Sequence, residues 1–301
     1  MKIAISGLGR MGGQIARKLQ AGGHSVIAHN RSRGPIDEMK AQGLVPAYSK
    51  EEVVAAFSGE RAVIWLMVPA EAVEAELAAW LEIIPRDSLL IDGGNSNFQS
   101  TQKHAALVAA RGSRWLDVGT SGGIWGYQNG FSMMVGGDRS DYEILEPALK
   151  TLAAPGGAYH LFGPAGAGHY VKMIHNAIEY GMMESLAEGY RLLKEGPYDN
   201  LDLAAAGEVW QHHSVITSWL NELARDVLRP NPQLDGIDGY VAESGEARWA
   251  LALARERHIP LPAIQAAFDV RLASQQGETN FATKLLAAMR NAFGGHQLNQ
   301  S

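Results

Sequence analysis

The chain has 301 residues, 46% hydrophobic and 19% charged, with a formal net charge of -6 and no cysteine. That composition excludes disulfides, thiolate nucleophiles and thiolate metal centres, and it argues against a nucleic-acid partner, whose phosphates are held by clustered Lys and Arg. The length suits two domains of about 100 to 200 residues each, and no apolar run is long enough to span a bilayer.

The start, Met1-Lys2-Ile3-Ala4-Ile5-Ser6-Gly7, has one basic residue and a short apolar stretch, too little for a signal peptide, so a cytoplasmic protein is expected. Short β-branched runs then recur: Ile3 to Ser6, Ser25 to His29, Ala62 to Val68, Leu89 to Asp92, Trp115 to Val118 and Met133 to Val135. Each reads as a strand. Helix-like stretches such as Gln14 to Gln20, Glu51 to Ala56 and Ala72 to Leu81 separate the first four, the alternation of a mainly parallel, doubly wound α/β sheet. After Leu161-Phe162-Gly163-Pro164 the texture turns to Ala, Leu, Met and Glu with helical periodicity. A boundary is placed near Gly163, giving a nucleotide-binding domain over 1–163 and an all-α domain over 164–301. The second should open with a long helix from about Gly166 to Lys194, since that stretch lacks proline. Further helices are expected over Leu203 to Gln211, Ser214 to Leu228, Tyr240 to Arg257, Pro262 to Gln275 and Thr279 to Ala292.

Directly after the first strand stands Gly7-Leu8-Gly9-Arg10-Met11-Gly12, a G-x-G-x-x-G that opens a helix. The first glycine permits the tight turn, the second lets backbone approach a pyrophosphate, and the third lets helix pack close to strand. The helix N-terminus then presents N–H groups to the anion. At the end of the second strand, where an NAD enzyme usually offers a carboxylate to the ribose, the tip reads His29-Asn30-Arg31-Ser32. An Arg beside a hydroxyl suits the 2′-phosphate of NADP. Arg31 has two other uses, stacking on the adenine of NAD or standing as a solvated charge, so NADP is favoured with NAD as the alternative.

Within the long helix, Lys172, His175, Asn176 and Glu179 fall at i, i+3, i+4 and i+7, on one stripe, while Val171, Ile174 and Ile178 turn elsewhere. A helix this apolar should be buried, and burying Lys, His and Glu is costly unless they serve each other or a ligand. Lys172 and Glu179 are separated by about 10 Å of helix rise, too far for an ion pair, so they should flank a substrate lying along the helix. A solvated charged face would instead favour Glu and Lys at i, i+4. Two glycine-rich loops follow the carboxyl ends of strands, Asp92-Gly93-Gly94-Asn95-Ser96 and Thr120-Ser121-Gly122-Gly123. That is the edge where doubly wound sheets bind ligands, and each loop can nest a carboxylate or be a plain turn. The His212-His213 pair lacks a carboxylate at ligand spacing, and no metal is expected.

Taken together, Gly7 to Gly12, Asn30-Arg31-Ser32, Val68-Pro69-Ala70, Asp92 to Ser96, Ser121-Gly122-Gly123, Lys172 to Tyr180, Arg271, and Arg290-Asn291-Ala292-Phe293-Gly294-Gly295-His296 resemble, in order, the short form of the decarboxylating 6-phosphogluconate dehydrogenase family, within the β-hydroxyacid dehydrogenases. The run His175-Asn176-Ala177-Ile178-Glu179-Tyr180 is the most specific part. The resemblance implies a Rossmann domain followed by an all-α domain, and oxidation of 6-phosphogluconate to ribulose 5-phosphate and carbon dioxide in the pentose phosphate pathway. It makes Lys172 the base and Glu179 the later proton donor, with His175 and Asn176 beside them. It places the coenzyme on Gly7 to Gly12, Asn30, Arg31, Ser32, Val68, Pro69, Ala70 and Asn95. The sugar acid falls to Asn95, Ser121, Gly122, Gly123, His175 and Asn176, and its phosphate to Tyr180, Arg271, Arg290 and His296. It also implies a homodimer in which Arg290 and His296 complete a neighbouring subunit's site.

One departure stands out: Ser244-Gly245-Glu246-Ala247-Arg248-Trp249 lacks a lysine and a threonine of the long forms, and Arg248 is the candidate replacement. Two rival readings remain. A non-decarboxylating β-hydroxyacid dehydrogenase would need neither Glu179 nor the Arg271, Arg290 and His296 set. A non-catalytic nicotinamide-binding protein would have little use for Lys172 and Glu179 on one stripe.

Overall fold

The computed structural model describes residues 1–298. The chain forms two compact units, one from Met1 to Lys172 and one from Met173 onward.

The first unit alternates strand and helix. It begins with β1 (Lys2–Ser6), α1 (Arg10–Ala21), β2 (Ser25–His29), α2 (Arg33–Ala41), β3 (Val45–Ala47) and α3 (Lys50–Ala56). It continues with β4 (Val63–Leu66), α4 (Val73–Ile83), β5 (Leu89–Asp92), α5 (Phe98–Ala110) and β6 (Arg114–Ser121). The short α6 (Gly126–Asn129), β7 (Ser132–Gly137), α7 (Arg139–Leu152) and β8 (Tyr159–Gly163) complete it. Among the described residues the sheet has eight strands in the order β3-β2-β1-β4-β5-β6-β7-β8, parallel except between β6 and β7. The chain winds outward in one direction from β1 and in the other from β4, so a crevice opens at their carboxyl ends.

Period-two alternation on β1 divides the core. Ile3 and Ile5 pack with Ile15 and Leu19 of α1 and Leu145 and Leu149 of α7. Ala4 faces the opposite layer with Ile64, Leu66, Phe57, Trp80 and Val108. Each large apolar side chain so buried contributes about 1.5–3 kcal/mol. Every residue of β4 (VIWL) and β5 (LLID) is buried, which explains why they read as continuous runs rather than alternating ones. β2 and β5 fall where the sequence places them. β3 and β8 were not anticipated: they are the two edges, and β3 is only Val45-Pro46-Ala47, with a proline that an edge tolerates.

The long helix α8 runs from Ala167 to Glu195, within one residue of expectation at each end. The second unit adds α9 (Leu203–Gln211), α10 (Trp219–Leu228), α11 (Glu246–Glu256), α12 (Pro262–Ser274) and α13 (Phe281–Gly294). Met183, Ala187 and Tyr190 of α8 pack with Leu223 and Leu228 of α10 and Leu285, Leu286 and Met289 of α13. A smaller cluster joins Tyr180 to Ala247, Leu251, Ala267 and Phe268.

Two helix starts lie five or more residues from the sequence reading. α10 begins at Trp219 rather than Ser214, because Ser218 accepts the Asn221 N–H as a cap while Ser214 and Thr217 donate to the Trp210 carbonyl. α11 begins at Glu246 rather than Tyr240, because Gly245 enters it with φ +99°. α8 is buried along much of its length, but one face leaves Ile178 51% and Met182 46% exposed. Among the described residues no helix is long and apolar enough to cross a membrane, and no group of three or more His, Asp or Glu could hold a metal ion.

Candidate active site

The three glycines of the first turn are required for different reasons. A Cβ on Gly7, whose φ is +104°, would lie 2.3 Å from the Met67 carbonyl oxygen, and one on Gly12 would lie 1.9 Å from the Gly7 carbonyl oxygen. Both are demanded by the protein's own packing. A Cβ on Gly9 would meet nothing within 4 Å. The space above Gly9 is therefore room for something else, at the cap of a helix with no acidic residue in its first turn. Leu8 is buried and Met11 packs on the core below, while Arg10 is exposed.

Asn30 fastens the second strand to this turn. Its Oδ1 accepts the Leu8 N–H at 3.0 Å, and its Nδ2 donates to the Ser32 hydroxyl at 2.8 Å and the Ser32 carbonyl at 3.2 Å. Arg31 and Ser32 lie exposed at the tip. A neighbour that the sequence reading passed over, Arg33, lies 4.6 Å from the ring centre of Tyr48, whose hydroxyl donates to Asp37 at 2.6 Å. The run Asn-Arg-Ser-Arg was the signal available for it. Open space over Gly9 and cations rather than carboxylates at positions 31 and 33 fit a dinucleotide phosphate.

Val68, Pro69 and Ala70 follow β4, and the Gly7 turn and the β5 loop both press on Val68: a Cβ on Gly94 would lie 2.8 Å from its carbonyl oxygen. Buried Asp92 shapes that loop by accepting the Gly94 N–H at 3.0 Å and the Ser96 hydroxyl at 2.7 Å, which leaves Asn95 exposed. At the end of β6, Ser121 is half-buried, and Gly122 and Gly123 turn the chain with φ of +133° and +54°.

On α8, Lys172 is 7% and Asn176 8% exposed, and His175 and Glu179 are half-buried. The His175 Nδ1 and Asn176 Oδ1 lie 3.0 Å apart. Lys172 packs on β6 at Gly119, where a Cβ would fall 2.3 Å from the Lys172 Cβ.

In the second unit the continuation of the stripe meets two arginines. Tyr180 is buried, and the Arg271 guanidinium sits 3.3 Å from its ring centre, with Nη2 donating to the Met183 sulfur at 3.7 Å. Burial pushes Arg271 down to about 10 despite the opposing pull of Tyr180, Glu179 and Glu184. Arg290, also buried, donates to the Ala242 carbonyl. Burial lowers its pKa too, against Tyr180 and Glu179, so it stands with Tyr180 of its own chain. The Tyr180 hydroxyl accepts the Ser244 N–H at 3.2 Å, a contact without any signal in residue spacing. Behind Arg271, Glu184 is buried with no hydrogen-bond partner for Oε2, and burial raises it to about 7. His296 packs edge-on against Phe293, and its carbonyl accepts from Asn291. Arg248 does not join the buried pair: it is exposed, bound to Glu243 at 2.7 Å and stacked 5.3 Å from Phe268.

A doubly wound sheet with such a turn at its switch point, followed by a helical unit, is the build of a nicotinamide-dependent oxidoreductase. The family profile described as the NAD binding domain of 6-phosphogluconate dehydrogenase matches residues 2–166, and that of the 6-phosphogluconate dehydrogenase C-terminal domain matches residues 168–301. The NAD(+)-dependent, decarboxylating 6-phosphogluconate dehydrogenase of Haloferax volcanii is 36% identical over 301 residues, covering 99% of this chain and 98% of that one. The NADP(+)-dependent, decarboxylating enzyme of Bacillus subtilis is 31% identical over 300 residues, covering 92% of this chain but 62% of its own length. The solved Plasmodium falciparum 6-phosphogluconate dehydrogenase, studied with NADP+ and with 6-phosphogluconate, superposes with a TM-score of 0.84 at 28% identity, covering 92% of this chain and 63% of that one. The chain belongs to the 6-phosphogluconate dehydrogenase family.

Proposed function

We propose that this protein oxidises 6-phosphogluconate and releases its carboxylate, giving ribulose 5-phosphate, carbon dioxide and reduced coenzyme. The observation that carries the reading is the stripe of α8: a buried Lys172 and Asn176, with His175 and Glu179 alongside. A lysine shielded from water is costly to keep unless it handles a proton or a substrate charge. The nicotinamide ring, when bound, supplies the hydride acceptor. Lys172 takes the proton of the 3-hydroxyl as that carbon is oxidised to a ketone. The carboxylate carbon then leaves as carbon dioxide, and the electron pair it leaves behind forms an enolate whose oxygen protonated Lys172 stabilises. Glu179 delivers a proton to the carbon that lost the carboxylate.

The exposed Asn95 and the glycine turn at Ser121, Gly122 and Gly123 hold the sugar acid with His175 and Asn176. Tyr180, Arg271 and Arg290 hold its phosphate, where buried guanidinium groups suit a dianion. Gly7 to Gly12 would hold the coenzyme, with Asn30, Arg31 and Ser32 serving its ribose and Val68, Pro69, Ala70 and Asn95 the rest of it. NADP is the favoured form and NAD the alternative. We place the reaction in the cytoplasm and the active form as a homodimer, supported by the apolar side chains Ile178 and Met182 that α8 leaves exposed. The burial of Arg290 beside Tyr180 supports assigning it to its own chain's phosphate group, so the contribution across subunits rests with His296.

The test is to mix purified protein with 6-phosphogluconate and either NADP or NAD, following coenzyme reduction and carbon dioxide together. Equal appearance of both is expected, and reduction without carbon dioxide would favour the non-decarboxylating relative. Glu179→Gln should lower turnover about a hundredfold or more while substrate binding survives. Near-normal turnover would remove Glu179 from the mechanism.

A further inference from the structure

We propose that Asp117 is a positioning residue that fixes the start of α8 and thereby sets Lys172, seconded by the Thr101–His169 pair; this rests on the reading of Lys172 as the base. Asp117 lies in β6, opposite Asp92 of β5 in the register, and both are fully buried. Its Oδ1 accepts the Gly166 N–H at 2.7 Å and its Oδ2 the His169 N–H at 2.8 Å. One carboxylate thus holds two of the N–H groups that a helix start leaves without intrahelical partners. Two residues further along the same face of β6, Gly119 presses on the Lys172 Cβ, and Lys172 follows His169 by less than one helical turn. The first turn of α8 is therefore held in height and in rotation by one strand.

Several features indicate that this arrangement is built rather than incidental. Gly168 lies against β6 and its neighbour β7 so closely that a Cβ would fall 2.8 Å from the Asp117 carbonyl oxygen and 2.5 Å from the Met134 carbonyl oxygen. A Cβ on Gly136 would fall 2.7 Å from the Asp117 Oδ1. His169 is buried, its Nδ1 2.7 Å from the Thr101 hydroxyl, while its Nε2 has no partner. Desolvation raises the Asp117 pKa, and His169 and the two N–H groups oppose that rise. Keeping a carboxylate in the middle of a buried strand is expensive for a fold that could place an apolar residue there. Asp92, one strand over, does the corresponding service for the loop bearing Asn95.

The experiment compares wild type with Asp117→Asn, whose amide must present an N–H to one of the two donors. Amide hydrogen exchange over 166–172 should quicken at least tenfold, and kcat should fall ten- to a hundredfold. The coenzyme Kd, read by fluorescence titration, should stay within twofold, and the pH profile of kcat should be displaced. Thr101→Val leaves the carboxylate in place and should lower kcat about threefold in the same pattern; it decides the matter where Asp117→Asn does not accumulate as folded protein. Unchanged kcat per folded molecule with an unmoved pH profile would overturn the proposal, as would kcat and coenzyme affinity falling together. Failure of the reading beneath it looks different: wild type would then not turn over 6-phosphogluconate at all, while the exchange result would stand.

Discussion

On the function proposed above, the two units prepare for anions by opposite means. In the first, the groups are backbone: an open place above Gly9, a helix N-terminus and a turn locked by Gly7 and Gly12, with charged side chains left at the exposed tip. Such a cradle costs little when empty, since its N–H groups can bond water. In the second unit the groups are buried cations, Arg271 at 1% and Arg290 at 6% exposure, both with lowered pKa values because water has been removed from them. That cluster carries its desolvation cost before any ligand arrives, and a dianion then gains more from each guanidinium than it could at the surface. On that reading the coenzyme meets exposed backbone and the phosphate meets buried side chains.

The largest effect that would sharpen this contrast is expected from Arg271→Met. It should cost about 2–4 kcal/mol of substrate binding, seen as a KM for 6-phosphogluconate raised about thirtyfold to a thousandfold, with the coenzyme Kd unmoved. A KM within threefold of wild type would place the phosphate elsewhere. Next comes a divided result at the glycines. Gly12→Ala should destabilise the fold by about 3 kcal/mol through its collision with the Gly7 carbonyl, lowering the melting temperature by several degrees. Gly9→Ala should melt normally yet weaken coenzyme binding about tenfold. If both behaved alike in the melt, the space above Gly9 would not be reserved for a ligand.

At the tip of the same unit, Arg31→Asp should shift the ratio of kcat/KM values about a hundredfold towards NAD, and an unchanged ratio would move the 2′-phosphate to Arg33. The smallest effect concerns Glu184. Its pKa is raised from 4.5 to about 7, so the folded state holds a proton that the unfolded state has released, and stability should decline as pH climbs across that window. Glu184→Gln should remove the decline, gaining on the order of 2 kcal/mol at pH 8 in urea unfolding and nothing at pH 5. A gain equal at both pH values would mean that the proton is not the cause.

How much of this was legible from sequence follows the same division. The first site is made of backbone conformations that few residues permit, so Gly7, Gly9 and Gly12 announced it, and the fully buried strands β4 and β5 stood out as apolar runs. The edges β3 and β8 did not, because short, half-exposed strands carry little pattern. In the second unit, α8 and its stripe were readable from helical spacing, but what surrounds Tyr180 was not. Tyr240 to Ser244 reads as the start of a helix, yet it stays irregular, and it supplies the Ala242 carbonyl to Arg290 and the Ser244 N–H to Tyr180. Glu184 likewise reads as one more charge on a long helix. Its isolation is a product of tertiary packing, which periodicity does not encode.

The unbroken course of α8 also limits how this gene can vary in length. Lys172 and Glu179 keep their common face only because six residues of regular helix separate them, with no loop to absorb a change. A one-residue insertion between them would swing Glu179 by about 100° and advance it by about 1.5 Å, whereas exchanges of side chain at exposed Ile178 would leave the spacing untouched. Substitution is therefore open at exposed positions of this stretch while insertion and deletion are closed, and descendants of this chain should differ there in letters but never in number.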